Sequence, residues 1–155
     1  MRLQVMIRMT VPLVLREIPP AAIHCDRTSD AELSSSGDDV TFWSGWNGNM
    51  LVAVGALKRL SSTHGEIKSM YTVQTNRRSG VGTAMLRHIM DSARTMGMTR
   101  LSLETGSWAY FHPARALYRS HGFVDCPPFG EYVEDPNSIF MTLDLPKLPS
   151  GGDYA

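Results

Sequence analysis

Cysteine is nearly absent: Cys25 and Cys126, 101 positions apart, are the two in 155 residues. Such a pair forms neither a disulfide framework nor a Cys-X-X-Cys metal site. A long hydrophobic run is also missing, since no stretch approaches the roughly 20 apolar residues that span a bilayer. Net charge is lacking too, with 15 Lys and Arg against 15 Asp and Glu, which argues against a bulk nucleic-acid or polybasic membrane binder. What is present is 43% hydrophobic residues, too many for a disordered chain and enough for one domain with its own core. A reduced, cytoplasmic protein is expected, without metal, nucleic acid or membrane as partner; a homodimer is left open. The segment Met1 to Leu15 is apolar and carries Arg2 and Arg8, but Arg8 and Pro12 interrupt any signal-type apolar run, so a plain first strand is expected there.

Leu3, Val5, Ile7 and Met9 alternate with more polar neighbours, the period of a strand. Residues 19 to 39 are rich in turn formers, with room for a helical turn or two near Asp30 to Leu33. Val40 to Trp46 and Met50 to Leu60 form a hairpin through Asn47-Gly48-Asn49, and the loop Ser61 to Gly65 leads to a third strand, Glu66 to Val73. Val81, Met85, Ile89, Ala93 and Met96, flanked by Leu86 and Met90, make an apolar stripe at helical spacing that stops at Gly97. Arg100 to Glu104 reads as a buried strand. Pro113 opens a second helix, Ala114 to Ser120, which ends at Gly122; two strands follow, Phe123 to Cys126 and Ile139 to Leu145. Three strands in succession, followed by one strand–helix–strand crossover, predict an α/β (α+β) fold with a mixed, mostly antiparallel sheet. Residues 1–145 form one domain, and 146–155, rich in Pro and Gly, are expected to be a disordered tail.

Arg77-Arg78-Ser79-Gly80-Val81-Gly82-Thr83 lies between a strand and a helix start. Glycines two apart let the backbone approach a ligand, and the free N–H groups of the first helical turn favour an anion. No Gly-Lys-Ser/Thr follows, so this is not a Walker loop, and the dinucleotide Gly-X-Gly-X-X-Gly is incomplete. A cap that only packs closely would look the same.

With Arg77 in its first slot, the loop resembles the Arg/Gln-X-X-Gly-X-Gly/Ala signature of the Gcn5-related N-acetyltransferase (GNAT) superfamily. Gly65 to Thr72 resembles that family's fourth strand, and Ala114 to Phe123 its fourth helix with the following Gly-Phe. Glu131 to Met141 resembles a branch of small bacterial-type members with undefined acceptors. The agreement in order covers residues 40 to 145, about two-thirds of the chain. The resemblance implies the GNAT fold and transfer of an acetyl group from acetyl-CoA to a primary amine of a small molecule, by direct attack. It implies that Arg77, Arg78, Ser79, Gly80, Val81, Gly82 and Thr83 hold the coenzyme pyrophosphate. The backbone of Met70, Tyr71 and Thr72 would meet the pantetheine arm and thioester. Glu66 falls where many members carry the base, and Tyr118 where the family protonates the departing sulfur. Two departures stand out. The segment before Val40 is shorter and less helical than usual, and Phe111 replaces a common Asn.

Each assignment has a plainer reading: Glu66 as an exposed strand-end carboxylate, Tyr118 as a core tyrosine, His64 as an exposed loop histidine, Cys126 as a small buried hydrophobe. Trp43, Trp46 and Trp108 fit either a pocket wall or the core. Glu131, Tyr132, Glu134 and Asp135 suit a cationic amine or a solvated turn. Two other functions compete: a catalytically poor acyl-CoA sensor, and an acetyltransferase of protein or peptide amines. The zero net charge also hides a division. Residues 58–100 hold eight Lys/Arg against two acids, and residues 120–146 hold five acids without a Lys or Arg. An anionic coenzyme suits the first block and a cationic amine the second.

Overall fold

The computed structural model describes residues 13–18, 39–73 and 80–146. The expected first strand at Leu3 to Met9, the helical turn near Asp30, Arg77 to Ser79 and most of the tail lie outside the described residues. Among those described, the elements are β1 (Leu13–Ile18), β2 (Val40–Asn47), β3 (Met50–Arg59), β4 (His64–Thr72), α1 (Val81–Thr95), β5 (Arg100–Gly106), α2 (His112–Ser120), β6 (Val124–Cys126) and β7 (Ser138–Asp144). The strands form one sheet in the order β1-β2-β3-β4-β5-β7-β6. All neighbours are antiparallel except β4 and β5, which the α1 crossover makes parallel. This is the mixed, mostly antiparallel sheet expected from the order of elements.

Local chemistry explains the boundaries. Gly48, at φ 59°, takes the first central position of the β2–β3 turn, where the backbone must turn left-handed. Both helices end in the same way. Gly97 and Gly122 have φ 85° and 95°. After them, Met98 N–H donates to the Ala93 carbonyl at 2.9 Å, and Phe123 N–H to the Tyr118 carbonyl at 3.1 Å. These are Schellman closures, each followed by a buried residue that anchors the chain. Met96, expected on the apolar stripe, instead caps α1 and is 37% exposed. The stripe ends one turn earlier, at Ala93.

Val81, Met85, Leu86, Ile89, Met90 and Ala93 bury one face of α1 against the sheet. The approach is close: a methyl group at Gly55 would stand 2.9 Å from Cδ1 of Ile89. Leu57, Ile67, Leu101, Leu103 and Met141 complete this core from the strands. Truncating a central member such as Ile89 to Ala would cost about 2–5 kcal/mol. On the opposite face, the segment between β6 and β7 returns over β4 and β5 with an aromatic cluster. The ring of Phe129 lies 5.2 Å from that of Tyr132 and 5.9 Å from that of Phe140. No helix among the described residues is long and apolar enough to cross a membrane.

Candidate active site

The parallel ladder between β4 and β5 is short. It pairs His64 to Ile67 with Arg100 to Leu103 and then stops. Beyond that point β4 stays with β3 and β5 stays with β7, so the two strands part. A bulge helps them do so: the β3–β4 register shifts around Gly55, and Ser69 takes a left-handed φ of 56°. The base of the split is tied by side chains. Nε2 of His64 lies 2.7 Å from Oγ of Ser102, and Ser102 is 3.0 Å from Oγ1 of Thr142. Arg100 Nε donates to the same Thr142 hydroxyl at 3.0 Å. His64 is thus a half-buried strand residue and not an exposed loop histidine. Burial, with Arg100 nearby, lowers its pKa below the ordinary 6.5.

The split encloses a cavity of about 490 Å³. Ile67 to Met70 form one wall and Glu104 to Gly106 the other, with Phe111, Ala114 and Tyr118 closing it from the α2 side. Met70 is therefore at the cavity, on a stretch of β4 whose β5-facing edge carries no ladder hydrogen bonds. Tyr71 is 52% exposed beside it, and Thr72 reaches toward α1, its Oγ1 being 3.4 Å from where a Gly82 methyl would sit. Gly80 has φ 87° and caps α1 without a side-chain hydrogen bond, and no acid occupies the first turn. Helix geometry gives the N–H groups of Val81, Gly82 and Thr83 no intrahelical partner, and such a first turn favours an anion.

Tyr118 is 6% exposed and lines the cavity. The Schellman closure on its carbonyl and the edge-on ring of Phe123, 5.8 Å away, hold it there. Burial pushes its phenol up to about 12, so it remains protonated throughout the neutral range. Among the described residues no group hydrogen-bonds its hydroxyl.

Glu66 departs from the plain reading in another way. It is 4% exposed, not a solvated strand end, and its Oε1 accepts a hydrogen bond of 2.6 Å from the Tyr132 hydroxyl. Two residues expected at the site from distant parts of the chain thus meet. Neither lines the cavity; they lie beside its base, on the sheet face away from α1. Glu131 and Glu134 are exposed on the same segment, while Asp135 is used locally, accepting from Asn137 N–H at 2.8 Å. Asp125 pairs with Arg119 at 3.0 Å, so the acidic block delivers less free charge than its count suggests.

Of the tryptophans, Trp43 is core, Trp46 bonds Ser44 at 2.9 Å, and Trp108 lines the cavity while 64% exposed. Phe111, where many family members carry Asn, forms wall, its ring pressed onto Gly106. Cys126 is half-buried and not fully buried, with its thiol pushed up by burial, which disfavours a thiolate nucleophile. Sequence reasoning missed Lys68, Glu104, Asn137 and Ser138, all on the cavity, and Arg115, whose Nη1 donates to the Gly106 and Trp108 carbonyls at 2.6 and 3.0 Å. An arginine inside a helix's apolar stripe was the one available signal. Among the described residues no group of three or more His, Cys, Asp or Glu is placed to hold a metal ion.

Residues 11–123 match the family model described as the acetyltransferase (GNAT) family. The chain belongs to that family. It is an N-acetyltransferase by membership, and its relatives agree. It is 50% identical over 127 residues to the Bacillus subtilis (strain 168) protein named "Uncharacterized N-acetyltransferase YsnE", covering 82% of each chain. It is 43% identical over 132 residues to "Uncharacterized N-acetyltransferase YedL" of Escherichia coli (strain K12), covering 85% of this chain and 80% of that one. Among solved structures, a GNAT family acetyltransferase from Elizabethkingia anophelis with acetyl-CoA bound superposes with a TM-score of 0.68. That likeness spans 86% of this chain and 98% of the other at 15% identity, which speaks for the fold.

Proposed function

We propose that this protein transfers the acetyl group of acetyl-CoA to a primary amine of a small molecule by direct attack in a ternary complex. The observation that carries the reading is the β4–β5 split with Tyr118 in its cavity, together with an α1 that starts at a left-handed glycine and has no acid in its first turn. The residues present fit the coenzyme: the first turn of α1 suits its pyrophosphate, and Arg77, Arg78 and Ser79, just before it in sequence, add charge and donors. The edge of β4 from Met70 to Thr72, past the end of its ladder with β5, suits the amide-bearing pantetheine arm. Acetyl-CoA supplies the activated thioester carbonyl. Main-chain N–H groups of that edge can stabilise the oxyanion that forms there. Glu66, oriented by Tyr132, takes the proton that the ammonium must lose, through intervening water because it does not line the cavity. Tyr118, protonated throughout the neutral range, donates a hydrogen bond to the developing thiolate, and as the C–S bond breaks the sulfur takes up the second proton that the nitrogen loses on becoming an amide. Glu131 and Glu134 add a negative field on the side where the cationic acceptor approaches.

The test follows free thiol from acetyl-CoA over an amine panel. Turnover that falls in Glu66→Gln and Tyr118→Phe supports the assignment, and an unchanged rate in both contradicts the mechanism.

A further inference from the structure

The far end of the cavity is a rim of side chains that the coenzyme assignment leaves unused. Glu104 lies at the end of β5 with its carboxylate held by Ser138, whose hydroxyl donates to Oε1 at 2.7 Å. Trp108 is held three times over. Its Nε1 donates to Oδ1 of Asn137 at 3.0 Å, its carbonyl accepts from the buried Arg115, and Ser107 before it is tied to the Pro136 and Asn137 carbonyls. A large apolar ring that is 64% exposed and yet fixed in orientation is a binding surface already organised. Its neighbour Phe111 continues the flat wall deeper into the cavity.

Glu104, on the β5 side, is the acid among the residues that line the cavity, so a cation settles against β5. A carboxylate and an indole lining one cavity can together recognise an ammonium carried by a flat apolar body. We infer that Glu104 and Trp108, set by Ser138, Asn137 and Arg115, form the acceptor subsite. It selects a cationic amine attached to an aromatic group, such as an arylalkylamine. The inference rests on the acetyltransferase reading for its chemistry, but not for its binding.

Three probes separate the contributions: phenethylamine (cationic, aromatic), butylamine (cationic, aliphatic) and aniline (aromatic, uncharged near neutral pH). Each is titrated calorimetrically into the protein with CoA and assayed as acceptor. Phenethylamine should bind best. Glu104→Gln should raise its Kd and KM at least about tenfold, with kcat within about threefold, and leave aniline unchanged. Trp108→Ala should abolish the preference for phenethylamine over butylamine, with Trp108→Phe keeping part of it. Melting temperature and CoA affinity should stay constant in all three variants. Phenethylamine binding that is lost in Glu104→Gln without turnover in the wild type would keep the subsite and overturn the enzymatic reading. Turnover of phenethylamine indifferent to both substitutions would overturn the subsite and leave the enzymatic reading standing.

Discussion

The two walls of the cavity are built by different means. The β4 side, with the start of α1 beyond it, is described by main chain: a strand edge past the end of the β4–β5 ladder, a left-handed glycine and the first turn of a helix. The β5–β7 wall is side chains held by other side chains, Glu104 by Ser138 and Trp108 by Asn137, and beside the base of the split Glu66 of β4 is held in the same way by Tyr132. A main-chain wall accepts a constant ligand and tolerates sequence change. A side-chain wall can be retuned for a new acceptor one residue at a time, at the cost of being sensitive to each.

If that division is right, substitutions should hurt unequally. Glu66→Gln should have the largest effect, lowering kcat by about 10²–10⁴-fold with coenzyme affinity intact. Tyr118→Phe comes next, at about 10–100-fold on kcat, consistent with the loss of one hydrogen bond to a developing charge. It also has a signature in stability. The unfolded phenol titrates near 10.0 and the folded one at about 12, so between those values the unfolded chain has shed a proton that the folded chain retains. Stability therefore falls as pH rises through that window, and chemical denaturation should show the fall removed in the Phe variant.

Tyr132→Phe keeps the aromatic packing and removes one donor, and should lower kcat about tenfold. In a double-mutant cycle it should cost nothing further once Glu66 is Gln; additive losses would mean that Tyr132 acts on its own. The smallest effect is expected on the other wall. Thr72→Val should change the KM for acetyl-CoA by less than about threefold, since the contact assigned there is backbone. A large loss would erase the distinction between the walls.

The same division explains what could be read without coordinates. Hairpin, crossover and helix ends follow from Gly48, Gly97, Gly122 and the stripe from Val81 to Ala93, because local turn chemistry and periodicity set them. Tyr118 was named from the family resemblance, and the Gly122-Phe123 closure a few residues away holds it at the cavity. Glu104 and Asn137 were not, since their roles depend on a β5–β7 register between residues more than thirty positions apart. His64 was misread as a loop residue because its strand begins two residues earlier than the apolar pattern suggests, where a bond to Ser102 replaces apolar burial. Glu66 and Tyr132 were each named from the sequence, but the 2.6 Å bond between them spans 66 positions and leaves no local trace.

The most direct measurement is a crystal structure with CoA bound. The pantetheine arm should hydrogen-bond the β4 main chain between Met70 and Thr72, with the sulfur within about 3.5 Å of the Tyr118 hydroxyl. A coenzyme lying outside the β4–β5 split, or a sulfur remote from Tyr118, would contradict the account.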